Sequence, residues 1–264
     1  MLPTVDFCGL KVTRLTIGAN PFGGFSHQSA ARDQAMVAYH TVDRILESWQ
    51  RAEAAGINTM VTNTETPHVI EAVQKYLSGG GKLQWIAQIG AHDGNMPGAI
   101  DKAVAMGASA FYFWGGHQDN FFAQRDEKTF RAWVAYAHTT GLPVGVAGHS
   151  PESHYWINNF DIVDFHVVCF FNCGSIHHRQ GSHFRLTDAL AAAECTRRIR
   201  KPCIGYKIMG AGRIDPGMAF EYAYDNMKPT DIVNVGMHRG DKDNLIEENV
   251  AIVREGGREI RGRR

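Results

Sequence analysis

The sequence predicts an α/β fold, a closed (β/α)₈ barrel of the TIM-barrel type in a single domain spanning residues 1–264. Three observations predict it. Eight short apolar runs alternate with segments of helical periodicity. Helix exits carry glycine where the chain must turn into the next strand. The whole pattern fits in 264 residues, about the length that eight strand–helix units need. An open doubly wound sheet shares the alternation, and the pattern alone does not close the ring.

Taken in order, the strand runs are Leu15–Ile17, Thr59–Thr62, Leu83–Ile89, Ala110–Trp114, Val144–Ala147, Phe165–Phe171, Cys203–Lys207 and Ile232–Val235. They are continuous rather than alternating, as strands buried on both faces are. Between the first two, Val42, Ile45, Leu46 and Trp49 fall on one helical face, which ends at Ala54-Ala55-Gly56-Ile57. Ala105-Met106-Gly107-Ala108 closes the helix before the fourth run. Phe130, Trp133, Val134 and Ala137 form the next face, which ends at Thr139-Thr140-Gly141-Leu142. Pro143 and Pro202 bar helix continuation just before strands. The last face is Leu245, Ile246, Asn249, Val250 and Val253, followed by a flexible basic tail at about 256–264.

Composition narrows the function classes. Lysine plus arginine number 27 and aspartate plus glutamate 27, so no general basic surface exists for nucleic acid. No apolar run reaches membrane-spanning length, and the start Met1–Asp6 has neither the basic nor the apolar part of a signal peptide. Five cysteines, an odd number without metal-finger spacing, fit a cytoplasmic protein. The expected partner is a small-molecule substrate, and a homo-oligomer stays open.

In a parallel barrel the loops leaving the strands converge on one mouth. Those loops hold His27, Asn63, Glu65, His92, Asp93, His117, Asp119, His149, Glu152, Asn172, His177, His178, His183 and His238, eight of the 13 histidines among them. Imidazole exchanges protons near neutrality and is the commonest metal ligand, so the mouth is the expected active site. Lys207, His27, His117 and His149 are its candidate catalytic residues. Asn20, Asn63, Glu65, Gln88, Asn172, Tyr206, Arg213 and His238 are the candidates for substrate binding. A divalent metal held by His92, Asp93, His177 and Glu152 is compatible with the same set.

Lys207 closes an apolar strand, where an ammonium is costly unless paired or put to use. It can form a Schiff base with a carbonyl, hold an enolate or carboxylate, or act as a base; the alternative is an ion pair with Glu65, Asp93 or Glu152. The loop Gly18–His27 and the turn Gly210-Ala211-Gly212-Arg213 allow close backbone approach to a ligand or simply a tight bend.

Gly9–Leu15, Phe22-Gly23-Gly24, Gly56-Ile57-Asn58, Phe170-Phe171-Asn172, Ile204–Gly212 and Gly236-Met237 with Leu245–Asn249 are similar to segments of the aldo-keto reductases. That resemblance implies a (β/α)₈ scaffold and NADPH, with Tyr206 at the place of a tyrosine that stacks on nicotinamide. It breaks at the reductive tetrad. The family's aspartate falls on Val61, its tyrosine on Thr66 and its lysine on Gln88; only His117 lands near a tetrad position. The arginine that grips the adenosine phosphate falls on Leu245. NADPH is therefore disfavoured. A looser likeness, to bacterial reductase-like barrels, rests on Asn20–His27 and Tyr206-Lys207. The expected function is a non-redox lyase, aldolase or isomerase acting on a sugar-like polyhydroxy carbonyl compound. An NADPH oxidoreductase with a rearranged tetrad and a non-catalytic binding barrel are the alternatives.

Overall fold

The computed structural model describes residues 1–174 and 183–262, with side chains through Gly256. Two short antiparallel strands, β1 (Thr4–Phe7) and β2 (Leu10–Thr13), come first. They are joined by Cys8 and Gly9 at φ 54° and 85°, the left-handed pair that a two-residue hairpin turn requires. The Asp6 carboxylate accepts the Gly9 N–H at 2.8 Å and fixes that turn. The sequence reading did not include this hairpin.

The barrel strands follow as β3 (Leu15–Gly18), β4 (Thr59–Asn63), β5 (Gln84–Ile89), β6 (Ala110–Phe113), β7 (Val144–Gly148), β8 (Phe165–Cys169), β9 (Cys203–Tyr206) and β10 (Ile232–Gly236). Each is parallel to both neighbours, and β10 pairs with β3 (Val233 with Leu15, Val235 with Ile17), which closes the ring. The open-sheet alternative is thereby removed. The sixth expected run, Phe165–Phe171, stops as a strand at Cys169, and Lys207 lies one residue past the end of β9.

Helices separate the strands: α1 (Ala30–Tyr39) and α2 (Val42–Ala55) after β3, α3 (Pro67–Ser78) after β4, and α4 (Met96–Ala105) after β5. α5 (Gly115–Gln124) and α6 (Glu127–His138) follow β6, then α7 (Pro151–Asn158), α8 (Thr187–Arg198), α9 (Pro216–Asn226) and α10 (Leu245–Gly262). α10 thus runs to Gly262, within the region expected to be a tail. Gly56, at φ 98°, ends α2 by returning its N–H to the carbonyls of Ala52 and Glu53, and the chain enters β4 three residues later.

Strand alternation sorts the core into two shells. One set of positions, including Val61, Ile86, Ala110, Ala147, Phe165, Val167, Ile204 and Ile232, fills the barrel interior together with Phe7 and Val12 of the hairpin. The other, including Leu15, Ile17, Met60, Trp85, Phe111, Val146 and Val233, meets helix residues such as Ile45, Trp49, Val73, Phe130 and Val250. Phe7 sets its ring edge-on to Phe165 at 5.1 Å, so the hairpin plugs the end of the barrel where the strands begin. Among the described residues no helix is long and apolar enough to cross a membrane.

Candidate active site

At the opposite end the strand-exit loops surround a cleft of about 540 Å³. Ten of the sequence-expected residues line it: Asn20, His27, Asn63, Glu65, Gln88, His92, His149, Asn172, Tyr206 and Lys207. Phe25, Thr66, Tyr112, Trp114, Asp119, Ala147, Val167 and the glycines Gly115, Gly116 and Gly174 complete the wall. In the closed strand order β3 and β7 lie four places apart, as do β5 and β9. His27 therefore faces the His149 side, and His92 faces the Lys207 side.

His149 directly follows β7, and its Nδ1 lies 2.6 Å from Oδ2 of Asp119 on α5. The other Asp119 oxygen accepts the His149 backbone N–H at 3.1 Å, so one carboxylate holds both ring and main chain. A carboxylate on Nδ1–H leaves Nε2 as the basic nitrogen and stabilises the imidazolium once it is protonated. Gly115 makes this possible, because a Cβ there would sit 3.0 Å from the His149 ring. The pairing of Asp119 with His149 is the part of the site that sequence reasoning missed. Asp119 stood among the mouth residues without a role, and its partner lies 30 positions away on another strand exit.

Lys207 and His27 both hold left-handed backbone, at φ 56° and 55°. Residues with a Cβ adopt that region at a cost and tend to do so where a site dictates it. The Lys207 Nζ lies 5.5 Å from the centre of the Tyr206 ring. Among the described residues no carboxylate stands within ion-pair distance of it. The three carboxylates expected as alternatives are engaged or distant: Glu65 meets His92 at 3.1 Å, Asp93 accepts the Asn95 N–H at 3.0 Å, and Glu152 is exposed in the first turn of α7. His27 Nδ1 lies 2.7 Å from the Gly174 carbonyl. Burial, reinforced by the charge of Lys207, pushes its pKa down to about 3, so the ring is neutral at physiological pH.

Across the cleft, Asn63 Oδ1 accepts the backbone N–H groups of Glu65 and Thr66 and sets the loop that carries Glu65. Gly90 leaves room for that carboxylate, since a Cβ there would fall 2.3 Å from Glu65 Oε2. Gln88 Oε1 accepts the Tyr112 hydroxyl at 3.2 Å, and the Tyr206 hydroxyl donates to the Gly148 carbonyl at 3.4 Å. Trp114 presents its ring edge-to-face with His92 at 5.2 Å.

Five expected residues stand outside the lining. His117 accepts the Ala91 N–H at 3.2 Å and packs edge-on against Trp133, which places it in the wall behind the cleft. His238 is buried against His40, at 2.9 Å, and Tyr39. Arg213 donates to the carbonyls of Gly210 and His27 and so braces the loops that carry Lys207 and His27. Asp93 and Glu152 are the turn residues described above. His177 and His178 lie outside the described residues. Among those residues, no three His, Cys, Asp or Glu side chains converge closely enough to hold a metal ion. Cys169 and Cys173 are buried, and burial raises both thiol pKa values, that of Cys169 to about 11.

At the positions where the resemblance would place the reductive tetrad, Val61 is interior apolar filling, Thr66 is the N-cap residue before α3, and Gln88 bonds Tyr112. No family model matches the chain, and no curated protein matches it significantly. Solved structures do. A Pseudomonas aeruginosa protein assigned to the aldo-keto reductases aligns with a TM-score of 0.64 at 17% identity, covering 96% of this chain and 94% of its own. A glycerol dehydrogenase from Gluconobacter oxydans aligns at 0.57 and 12% identity, over 96% and 94%. A truncated 3-deoxy-D-arabino-heptulosonate 7-phosphate synthase from Thermotoga maritima aligns at 0.58 and 12%, over 99% and 93%. In fold, this chain is a (β/α)₈ barrel similar to those of solved aldo-keto reductases.

Proposed function

We propose that the cleft performs non-redox chemistry on a small polyhydroxy carbonyl compound, of the lyase, aldolase or isomerase type, through removal of a proton next to the carbonyl. The observation that carries this reading is the joint placement of a carboxylate-held imidazole and a lysine without a carboxylate partner among the described residues, both lining one cleft. Lys207 receives the carbonyl, either as an imine formed by its amine with loss of water or as an ammonium beside the developing enolate oxygen. His149 Nε2 takes the α-proton, and Asp119 stabilises the resulting imidazolium. His27, being neutral, adds no second positive charge beside Lys207. Glu65, Asn20 and Asn172 offer acceptors for hydroxyl groups, and Trp114 offers a face for carbon-bound hydrogens.

Solvent-deuterium exchange into dihydroxyacetone and a panel of ketoses, followed by NMR, tests the reading. Wild type is expected to exchange the α-proton. His149→Ala and Asp119→Asn are expected to slow the exchange on the order of 10²-fold or more. Borohydride added to the same mixtures separates the two lysine roles: a mass adduct on Lys207 marks an imine, and its absence leaves the electrostatic role. Exchange that is undetectable across the panel, or indifferent to His149→Ala, overturns the proposal.

The reductase-like fold favours a second reading, a nicotinamide-dependent oxidoreductase. The residues at the expected cofactor anchors fit it poorly. Leu245 stands where a phosphate-gripping arginine would, and the nearby Arg239 guanidinium is spent on Glu47 and Asp243 at 2.6 and 2.7 Å with its side chain only 2% exposed. The cleft tyrosines Tyr112 and Tyr206 donate to Gln88 and Gly148 rather than into the open space. NADPH fluorescence titration decides between the readings: saturable micromolar binding favours the oxidoreductase.

A further inference from the structure

Behind the His149–Asp119 pair, between the barrel and its helices, lies a group of polar side chains that no step above uses. Gln118, Ser153, His154 and His166 are all buried, none more than 1% exposed. Three of them adjoin the pair through the chain or through space, and His166 joins them through His154. Gln118 precedes Asp119 on α5. Gly148 precedes His149, and a Cβ on it would strike Ser153 Oγ at 2.7 Å, Gln118 Nε2 at 2.8 Å and His154 Nε2 at 3.1 Å. These three side chains are packed directly onto the backbone that delivers His149.

The group is internally bonded. Gln118 Nε2 donates to Ser153 Oγ at 3.1 Å, and Ser153 Oγ donates to the Ser150 carbonyl at 2.8 Å. His154 on α7 and His166 on β8 meet Nδ1 to Nδ1 at 3.0 Å, so one ring donates and the other accepts. Burial lowers the pKa of both rings, to about 4 for His154, which keeps the pair neutral. Gln118 Oε1 and both Nε2 atoms are buried without a well-formed hydrogen bond from the protein.

For scaffolding alone this is an unfavourable choice. A helix–sheet layer is stabilised by apolar side chains, and buried polar atoms left unsatisfied weaken it. Such groups are retained where they fix a geometry that apolar packing leaves loose. The four residues link α5, β7, α7 and β8, and α5 and β7 deliver the two halves of the acid–base pair. We propose that Gln118, Ser153, His154 and His166 are positioning residues: a buried polar bed that sets Asp119 and His149 at the distance where one carboxylate grips both the ring and the main chain. Gln118 fixes the turn of α5 that carries Asp119. Ser153 and His154 fix the height of Gly148 and, through it, His149.

The inference rests on the reading of His149 as the base, but its test needs no substrate. In the intact protein, ¹H–¹⁵N NMR of the histidine rings is expected to show a downfield, slowly exchanging Nδ1 proton that disappears in His149→Ala. Ser153→Ala, a small change that removes the acceptor of Gln118, is expected to move that signal upfield and speed its exchange while Tm changes little. Gln118→Met and His154→Gln are expected to shift the signal in the same direction. An unchanged His149 signal in all three variants overturns the proposal, as does a fall in Tm with the signal unchanged, since that is what a purely structural role produces. A wild type without such a proton also overturns it. Failure of the deuterium-exchange experiment with these signals behaving as expected removes only the reaction, not the positioning.

Discussion

Lys207 occupies a backbone region that its Cβ disfavours by about 1 kcal/mol or more. That gives the residue a stability signature separate from its chemistry. Lys207→Ala keeps the strain and loses the amine, whereas Lys207→Gly loses both. The glycine variant is expected to be about 1 kcal/mol more stable than the alanine variant, which chemical denaturation measures, while both are inactive. Equal stabilities would show that the left-handed turn after β9 is not strained. Lysine at this place was legible in the sequence, because an ammonium at the end of an apolar strand stands out. The partner of His149 was not, because distance along the chain between Asp119 and His149 says nothing about which strand exits meet. His238 misled for the opposite reason: it follows a strand as a mouth residue should, yet its ring turns away to His40.

At the level of the elements, the eight barrel strands were legible because burial on both faces makes continuous apolar runs. The hairpin was not read, although Phe7-Cys8-Gly9-Leu10, with Val5/Phe7 and Leu10/Val12 in alternation, carried its signal. Its four-residue strands are short, and the residues of β1 and β2 are partly exposed, so periodicity is weak there. Inside the barrel the same close fit makes β7 intolerant. A Cβ on Gly145 would fall 2.3 Å from the Phe165 ring. That ring is held in turn by Phe7 at 5.1 Å and Tyr112 at 6.4 Å, so it cannot withdraw. Gly145→Ala is therefore expected to destabilise by about 1–3 kcal/mol, read from the shift of the denaturant midpoint at constant m-value. A loss below a few tenths would mean that the interior is looser than its contacts imply.

For the molecule as a whole, neutral histidines govern the response to acid. Burial lowers the pKa of His27 and His40 to about 3 and that of His154 to about 4, from an ordinary 6.5. His40 is further held down by His238, and His27 by Lys207. As pH falls below about 6.5 the unfolded chain takes up protons at these positions and the folded chain does not, so stability declines. The decline continues until the folded groups themselves protonate near pH 3 to 4. Thermal unfolding is expected to show Tm highest above pH 7 and falling steadily between pH 6.5 and 5. The slope is expected to be shallower in His40→Asn, which carries one such group fewer. A Tm flat across that interval would show that these rings titrate normally in the fold.

The hairpin plug has a consequence for traffic. With Phe7 and Val12 seated in the strand-start end, the barrel is a cup with a floor, and the cleft of about 540 Å³ opens above it. Under the proposed chemistry, reactant and product would share one doorway and take turns. A cleavage reaction that leaves two fragments in such a vessel releases them in order, the outer before the inner. The fragment tethered to Lys207 would leave last, and added product of that kind would compete with incoming substrate for the same floor space.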